Sequence, residues 1–225
     1  MTATASRSAP RFESVVLDVD STIAGLEGID WLARQRGEDV AVQVHELTTA
    51  AMEGRMDLEQ VYAARLEAIR PTRNDVELLG RLYLEHLAPG VKDAVRVMQD
   101  AGVRVVIVSG GLRPALLALG ASIGVEPHDV HAVDLKFGED GAYLDFDRLS
   151  PLATQEGKRE AVRALQLPGR SLMVGDGSTD LAAREAVSAF VAFTGFVRRE
   201  AVISGADFVV NSFEELLELV LGGSA

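Results

Sequence analysis

The sequence predicts an α/β protein in which a mostly parallel sheet carries a helical insert directly after its first strand. Three observations lead to this fold class. Short apolar runs alternate with segments of helical spacing, which is typical of βαβ units. A long stretch after the first apolar run has helical spacing only. Segments rich in Asp, Ser or Gly follow three of the apolar runs, as expected at the carboxyl ends of parallel strands.

The strands are predicted from apolar runs that are too short to be helices. The first run, residues 14–17, has the composition of a buried parallel strand. Further strands are predicted at residues 103–108, 171–174, 190–193 and 208–210, with helices such as 91–98 and 181–186 between them. Residues 133–146 alternate around a Gly138-Glu139-Asp140-Gly141 turn, which predicts a β-hairpin.

Residues 27–87 are predicted to form helices only. Their apolar side chains recur at helical intervals in three groups. The groups are Val40, Val44 and Leu47; then Leu58, Val61, Tyr62, Leu66 and Ile69; then Val76, Leu79, Leu82 and Tyr83. Asp57 and Gln60 have the spacing of a capping box at the start of the middle helix. An insert at this place could cover the carboxyl end of the first strand.

The chain is therefore predicted to have three parts. These are a flexible amino-terminal tail at residues 1–10, an α/β core at 11–26 and 88–225, and the helical insert at 27–87. With 225 residues, 48% of them hydrophobic, the chain can build a packed core. The first ten residues lack the apolar segment of a signal peptide, and no apolar run is long enough to span a bilayer, so we expect a cytoplasmic protein.

The charge of the chain argues against two classes of partner. At a formal net charge of −12, nucleic acid and anionic membranes would both be repelled at long range. A small acidic substrate is compatible with this charge, because a few cations dominate the field inside a pocket. The chain has no cysteine, so disulfides and thiolate chemistry are excluded. The four histidines have no ligand spacing and are assigned no chemistry: His45, His86, His128 and His131.

Asp18 and Asp20 come directly after the first strand, in the segment Asp18-Val19-Asp20-Ser21-Thr22. At a strand end the chain can curl, which lets both carboxylates reach one pocket. Two carboxylates in one pocket can share the work of phosphoryl transfer. One attacks phosphorus and forms an aspartyl-phosphate, while the other protonates the leaving alkoxide and later helps to activate water.

A carboxylate that attacks a phosphate dianion meets like-charge repulsion, so the site needs cations. We predict that Lys158 and Mg²⁺ supply them. Asp176 follows another strand within Gly175-Asp176-Gly177-Ser178-Thr179-Asp180, where the flanking glycines leave its side chain free to face a metal. Magnesium prefers carboxylate oxygens and retained waters, which suits Asp18, Asp176 and one further protein oxygen.

Ser109 ends the strand predicted at residues 103–108 and is followed by Gly110 and Gly111, and the helix that begins after this strand offers backbone N–H groups. The Ser109 hydroxyl and the amides of Gly110 and Gly111 could then hold a phosphate oxygen. Each of these patterns is common by itself. Their joint occurrence, in this order and at the ends of apolar strands, indicates a phosphatase.

Together these residues resemble the haloacid dehalogenase superfamily and, within it, the phosphoserine phosphatase branch. The resemblance covers residues 12–221 and extends into the insert. There it is carried by Leu26-Glu27-Gly28-Ile29-Asp30, Ala51-Met52-Glu53-Gly54 and Leu58-Glu59-Gln60 followed by Arg65. It implies a Rossmann-like core with a small helical-bundle cap, and Mg²⁺-dependent hydrolysis of a phosphomonoester through a phospho-aspartate.

The resemblance also implies roles for the motif residues. Asp18 would be the nucleophile and Asp20 the acid and base. Mg²⁺ would be held by Asp18, the backbone carbonyl of Asp20 and Asp176, with Asp180 orienting the metal shell. Ser109 and Lys158 would hold the phosphoryl group, together with the amides of Gly110 and Gly111. The hydroxyl of Thr179, a position at which many bacterial members carry asparagine, would also contact phosphate.

Charge matching favours O-phosphoserine as the substrate, in the last step of serine biosynthesis. Beyond the phosphate this molecule carries an ammonium and a carboxylate, and the cap supplies Glu27 and Arg65 for them. Met52 would form part of the pocket wall. Leu58 stands where an aromatic residue is common in the branch, and it would shape the pocket and its selectivity.

Two other functions fit the same sequence. The phosphoryl group could pass to another alcohol, or the substrate could be another small phosphomonoester. A catalytically silent binding module on the same fold is the second alternative, although such a module would typically have lost a charged motif residue. The sequence is compatible with a monomer or a homodimer.

Overall fold

A six-stranded parallel sheet forms the centre of the protein, which a computed structural model describes at residues 9–52 and 56–222. The strand order is β3-β2-β1-β6-β7-β8, and each neighbouring pair is parallel. Its strands are β1 (Ser14–Leu17), β2 (Arg104–Leu112), β3 (Val130–Val133), β6 (Ser171–Gly175), β7 (Ala189–Phe193) and β8 (Phe208–Val210). A separate antiparallel hairpin consists of β4 (Leu135–Phe137) and β5 (Tyr143–Phe146).

Ten α-helices accompany these strands within the described residues. Four belong to the stretch after β1: α1 (Gly28–Gln35), α2 (Glu38–Met52), α3 (Leu58–Ile69) and α4 (Arg73–Glu85). The other six are α5 (Val91–Asp100), α6 (Arg113–Ser122), α7 (Gly157–Ala164), α8 (Ser178–Ala182), α9 (Glu200–Ile203) and α10 (Phe213–Leu221). The predicted α/β fold with a helical insert after the first strand is confirmed.

The central strand β1 fixes the edge of the sheet at which the motifs meet. All four of its residues are buried, which is why its sequence is a continuous apolar run after Ser14. Leu17, its last residue, lies opposite Ile107 of β2 and Val174 of β6. Because the three strands are parallel and in this register, the segments that follow them leave the sheet at the same edge.

The strand predicted at residues 103–108 extends further than predicted, and the helix predicted after it starts at Arg113. Strand β2 continues through Ser109, Gly110 and Gly111 to Leu112, and α6 begins at Arg113. The pairing with β3 shifts register between Val108 and Leu112, so the glycines remain extended in an irregular part of the ladder. A glycine pair is locally compatible with a turn or with an extended chain, so the sequence alone does not decide where this strand ends.

Two further predictions are corrected. Strand β3 was not predicted as a separate element, because His131 interrupts a run of only four residues. The helix predicted at residues 181–186 is divided into α8, which starts earlier at Ser178, and a 3-10 turn at Ala183–Ala186. The predicted strands, the hairpin and the helix at 91–98 are confirmed within one to four residues at their ends.

The insert leaves and rejoins the sheet domain at one place. The backbone amide of Gly25 donates to the His86 carbonyl at 3.0 Å, and the amide of Ala88 donates to the Ile23 carbonyl at 2.8 Å. Ala24 and Leu87 accordingly form an antiparallel bridge. Helix α4 then packs along α6 of the sheet domain. These contacts tie both ends of the insert to the edge where β1 ends.

The capping box of the insert lies in a different helix from the predicted one. Asp57 is the residue before α3, as predicted, but it makes no side-chain bond to the helix backbone; Gln60 Nε2 donates to Asp57 Oδ2 at 3.4 Å instead. The box is formed by Thr72 and Asp75 at the start of α4. There the Asp75 amide donates to Thr72 Oγ1 at 3.2 Å, and the Thr72 amide donates to Asp75 Oδ2 at 2.8 Å.

The predicted three-part division of the chain stays a prediction. Helices α1 to α4 fall inside the predicted insert, 27–87. Residues 1–8 of the predicted tail lie outside the described residues. Within residues 9–52 and 56–222, no helix combines the length and the apolar character needed to cross a bilayer.

Replacing Thr72 by Ala should destabilise the protein, because the amide of Asp75 loses its side-chain acceptor at the first turn of α4. We expect a loss of about 1 kcal/mol in the free energy of unfolding, measured by urea denaturation. Thr49→Ala is the matched control, because the Thr49 hydroxyl bonds to the His45 carbonyl inside α2 and caps no helix. Equal losses in the two variants would show that the box contributes nothing specific.

Candidate active site

Three of the sequence motifs and Lys158 meet at the carboxyl edge of the sheet around one cavity. The cavity has a volume of about 200 Å³. Its lining consists of Asp18, Asp20, Glu27, Ile29, Tyr62, Arg65, Ser109, Gly110, Gly111, Leu152, Thr154, Lys158 and Thr179. Nine of these residues were predicted as site residues from the sequence, and they come from both the sheet domain and the insert.

Lys158 lies between two carboxylates at the base of this cavity. Its Nζ is 2.7 Å from Asp18 Oδ1 and 2.5 Å from Asp180 Oδ1. All three side chains are buried. Burial alone would lower the pKa of Lys158, but the two carboxylates outweigh it and raise the pKa above its ordinary value. The lysine is therefore a permanent cation directly beside Asp18.

Asp18, Asp176 and Asp180 form a buried carboxylate cluster. One oxygen from each lies within 4.8 Å of the others. Asp180 is held from two sides, by Lys158 and by the Gly177 amide, which donates to Oδ2 at 2.9 Å. Thr22 Oγ1 lies 3.5 Å from Asp176 Oδ1. Oxygen donors alone suit a hard divalent cation.

Gly175 makes this cluster sterically possible. A Cβ atom at this position would lie 2.2 Å from Cγ of Asp180. Only glycine at position 175, the last residue of β6, therefore leaves space for the Asp180 side chain next to Asp176. This explains why the Asp176 segment begins with glycine.

Asp20 is held by two groups from the insert. The Tyr83 hydroxyl donates to Asp20 Oδ1 at 2.6 Å, and the Gly28 amide donates to Oδ2 at 3.1 Å. Burial, followed by the charge of Glu27, raises the pKa of Asp20 to about 7. A carboxyl group with this pKa carries a proton in a substantial fraction of molecules at neutral pH, which suits a general acid.

The Ser109 segment faces the cavity with its hydroxyl already bonded. Ser109 Oγ accepts from the Gly111 amide at 3.1 Å. The carbonyl of Gly110 accepts from the Tyr62 hydroxyl at 3.0 Å, which ties α3 of the insert to β2. This segment of β2 presents small polar groups without side-chain bulk, as an anion-binding segment requires.

Glu27 and Arg65 reach the cavity from the insert, as the sequence predicted. Arg65 Nη2 lies 2.6 Å from Asp30 Oδ1, and its Nε is buried without a hydrogen-bond partner among the described residues. Glu27 Oε1 accepts from the Ser21 hydroxyl at 2.7 Å. Burial raises the pKa of Glu27. One cation and one acid therefore line the insert side of the cavity.

Several side chains at the site were not found from the sequence. Arg199, just before α9, contacts the Asp176 carboxylate, and its Nη2 lies 3.8 Å from Glu27 Oε1. Tyr62 and Tyr83 have the helical spacing of core residues and gave no sign of polar contacts. Leu152 lies in a 3-10 turn at Pro151–Ala153, and Thr154 follows it; this segment carries no motif. No local pattern could have identified these residues, because each contact joins elements distant in sequence.

The roles assigned to the site residues stay predictions, although the placement fits them. Asp18, Asp20, Glu27, Arg65, Ser109, Gly110, Gly111, Lys158 and Thr179 line the cavity, while Asp176 and Asp180 lie beside it in the carboxylate cluster. The side chains of Met52 and Leu58 lie outside the described residues.

Comparison with known proteins decides the family. The family model for haloacid dehalogenase-like hydrolases matches residues 12–187. Phosphoserine phosphatase from Mus musculus is 36% identical over 208 residues, covering 91% of this chain and 92% of the relative. The chain belongs to the phosphoserine phosphatase family of haloacid dehalogenase-like hydrolases. The enzyme from Homo sapiens is 35% identical over the same shares, and the chloroplastic one from Arabidopsis thaliana is 35% identical over 91% of this chain and 70% of its own.

Solved structures of this family share the fold. A phosphoserine phosphohydrolase-like protein from Francisella tularensis superposes with a TM-score of 0.82 at 22% identity, over 93% of this chain and 100% of the other. A phosphoserine phosphatase solved as a phospho-aspartyl intermediate analogue superposes with a TM-score of 0.77 at 23% identity, over 93% and 99%. The haloacid dehalogenase core with its inserted helices is thus the fold of this chain.

Asp18→Asn should abolish phosphatase turnover while the protein stays folded, because the amide keeps the side chain's shape and removes the attacking charge. The measurement is kcat for phosphoserine together with the free energy of unfolding. Asp93→Asn, at an exposed position of α5, is the matched control. Retention of more than about one hundredth of the wild-type kcat, a barrier change of only ~2.7 kcal/mol, would contradict the assigned role.

Asp20→Asn should slow alkyl phosphates far more than aryl phosphates, because an alkoxide must be protonated as it leaves and a phenolate need not be. The comparison uses single-turnover rates for both substrate types, so that the aryl substrate serves as the internal control. If both rates fell by the same factor, Asp20 would not be the proton donor.

Proposed function

We propose that this protein hydrolyses O-phosphoserine to serine and phosphate through a phospho-aspartate on Asp18, with Mg²⁺ as its cofactor. The observation that carries the proposal is the single cavity that joins two sets of groups. Asp18, Asp20 and Lys158 line its sheet side, and Glu27 and Arg65 line its insert side. The curated relatives that match over most of their length are phosphoserine phosphatases, which supports the same substrate.

In the first step, a carboxylate oxygen of Asp18 attacks phosphorus, and the bond from phosphorus to the serine oxygen breaks. Asp20 gives its proton to that oxygen, which leaves as the serine hydroxyl. Lys158 lies 2.7 Å from Asp18 Oδ1 and remains charged, so it reduces the repulsion between the carboxylate and the phosphate oxygens. The Ser109 hydroxyl and the Gly110 and Gly111 amides hold the phosphoryl oxygens.

In the second step, water attacks the phosphorus of the aspartyl-phosphate. Asp20, now a carboxylate, takes the proton from this water, and the Asp18 carboxylate is released together with phosphate. Both steps therefore use the same two aspartates. Asp18 gains the phosphoryl group in the first step and loses it in the second, whereas Asp20 gives a proton in the first step and takes one in the second. The raised pKa of Asp20, about 7, suits a group that must both give and take a proton near neutral pH.

The carboxylate cluster fits a divalent cation by its chemistry. Asp18, the Asp20 carbonyl and Asp176 would hold Mg²⁺, with Asp180 orienting the surrounding shell. Bound there, the ion would supply positive charge against the phosphoryl oxygens. Asp180 is already fixed by Lys158 and the Gly177 amide, so this part of the site is preorganised.

The amino-acid end of the substrate would lie against the insert. Arg65, fixed by Asp30 and with its Nε free of partners among the described residues, can donate to the substrate carboxylate. Glu27 can accept from the substrate ammonium. Thr179 lines the cavity from α8 and would contact the phosphate. Met52 and Leu58 are kept as proposed parts of the pocket wall.

The paired charges at the insert favour this substrate over the alternatives. A general phosphatase has no need for an acid and a base opposite the reacting aspartates. Transfer of the phosphoryl group to another alcohol would use the same groups and is the second candidate. A cytoplasmic enzyme acting as a monomer or a homodimer stays our expectation from the sequence.

Arg65→Ala should lower kcat/KM for phosphoserine by about 1.5 to 3 kcal/mol, the range of a charge-assisted hydrogen bond, and change hydrolysis of an aryl phosphate little. Glu27→Gln should act similarly through the ammonium. Both substrates are measured with both variants.

Arg81→Ala and Glu77→Gln are the matched controls, because both residues are exposed on α4 of the same insert. They should change neither substrate. Equal losses for phosphoserine and the aryl phosphate in the Arg65 and Glu27 variants would mean that these residues maintain the insert's structure, and the assignment would revert to a general phosphatase.

Adding Mg²⁺ to metal-free protein should raise its Tm, because the ion relieves repulsion among three buried carboxylates. At about a hundredfold excess over Kd the gain is roughly 2.7 kcal/mol. Asp176→Asn should weaken this shift. A Tm that does not respond to Mg²⁺ in the wild-type protein would contradict a metal site at this cluster.

A further inference from the structure

We propose that Tyr83 is a positioning residue for the reaction: its hydroxyl holds the Asp20 carboxyl group in the orientation from which Asp20 protonates the leaving serine oxygen. The inference rests on the proposed phosphatase function and adds a residue outside the cavity to its machinery. It follows from the contacts of Asp20, from the burial of Tyr83 and from the place of Tyr83 in the chain.

Both oxygens of Asp20 are fixed by short contacts. Oδ1 accepts from the Tyr83 hydroxyl at 2.6 Å, and Oδ2 accepts from the Gly28 amide at 3.1 Å. Two donors on different oxygens define the plane of a carboxyl group, whereas one donor would leave it free to rotate about its last torsion. Each oxygen still has a lone pair left, so one of them can carry the proton that is transferred.

Tyr83 does not line the cavity, so it can act on the substrate only through Asp20. Its side chain is completely buried in the core between the insert and the sheet domain. Phenylalanine at position 83 would pack in the same space. The hydroxyl, by contrast, would cost free energy in the core unless it met an acceptor, and that acceptor is Asp20.

The fit around this hydroxyl is close. A Cβ atom at position 28 would lie 2.1 Å from the Tyr83 oxygen, so only glycine leaves space for it. Gly28 therefore serves two purposes, because its amide bonds to Asp20 and its missing side chain admits the tyrosine. The positions of Asp20, Gly28 and Tyr83 therefore depend on one another.

The two donors belong to the two ends of the insert. Gly28 is the first residue of α1, and Tyr83 lies in the last turn of α4. The orientation of Asp20 is consequently set by the insert and not by the strand from which it emerges. Asp20 differs in this respect from Asp18, which is held by Lys158 of the sheet domain.

The test is a double-mutant cycle of Tyr83→Phe and Asp20→Asn, measured as single-turnover rates with phosphoserine at an excess of enzyme. Tyr83→Phe alone should lower the rate about tenfold or more, the usual effect of losing a hydrogen bond to a charged group. In the Asp20→Asn background the same substitution should change the rate less than about twofold, because no proton donor is left to position. Tyr143→Phe, another buried tyrosine outside the cavity, is the matched control and should leave the rate unchanged.

A second measurement does not depend on how much protein is folded. The ratio of the alkyl phosphate rate to the aryl phosphate rate should fall in Tyr83→Phe, because only the alkyl leaving group needs the proton. A purely structural loss would lower both rates equally and leave the ratio unchanged.

The proposal is overturned if Tyr83→Phe behaves like Tyr143→Phe, if it has the same effect with and without Asp20, or if the ratio of rates stays constant. The wild-type protein is assayed in parallel. Without wild-type turnover of phosphoserine and aryl phosphate the proposed function itself fails, so failure of the function and failure of the positioning role give different results.

Discussion

The active site depends on one electrostatic constraint, the burial of several carboxylates at one edge of the sheet. Asp18, Asp176 and Asp180 approach one another with little exposure to solvent. Lys158 is in contact with two of them, and Arg199 contacts the third. Buried charges of one sign are tolerated only when they are paired or bind a cation. The lysine and the predicted metal site therefore follow from the same requirement, and the strand register brings their ligands together.

The parts of the fold predictable from the sequence are those whose local pattern has a single structural meaning. The apolar runs of β1, β6 and β7 can be little else than buried strands, and the parallel arrangement places their ends at one edge. Predictions failed where a local pattern is ambiguous. Gly110 and Gly111 fit a turn as well as an extended chain, and in the structure β2 continues through them to Leu112. Asp57 and Gln60 have the spacing of a capping box without its bonds.

The residues of the site also fall into those that the sequence could predict and those that it could not. Asp18 and Asp176 were predictable because each directly follows a buried strand, and Ser109 because it comes directly after an apolar run. Glu27 and Arg65 were identified through the resemblance to the family. Tyr83 and Arg199 could not be predicted. Each acts across a contact between the insert and the sheet domain, and such contacts depend on how whole elements pack. Sequence patterns describe neighbours along the chain, whereas these residues are neighbours only after folding.

The central position of β1 also affects the order in which the protein can assemble. This strand is first in the chain, yet its two neighbours, β2 and β6, follow only after the insert and after most of the sheet domain. During synthesis β1 leaves the ribosome long before β2 and β6 are made, so the strand has no partner and its apolar side chains stay exposed during that time. Pairings over such sequence distances form slowly. Asp18 is thus synthesised early, but Lys158, Asp176 and Asp180 are synthesised late, so the site in a nascent chain stays incomplete until β6 has docked.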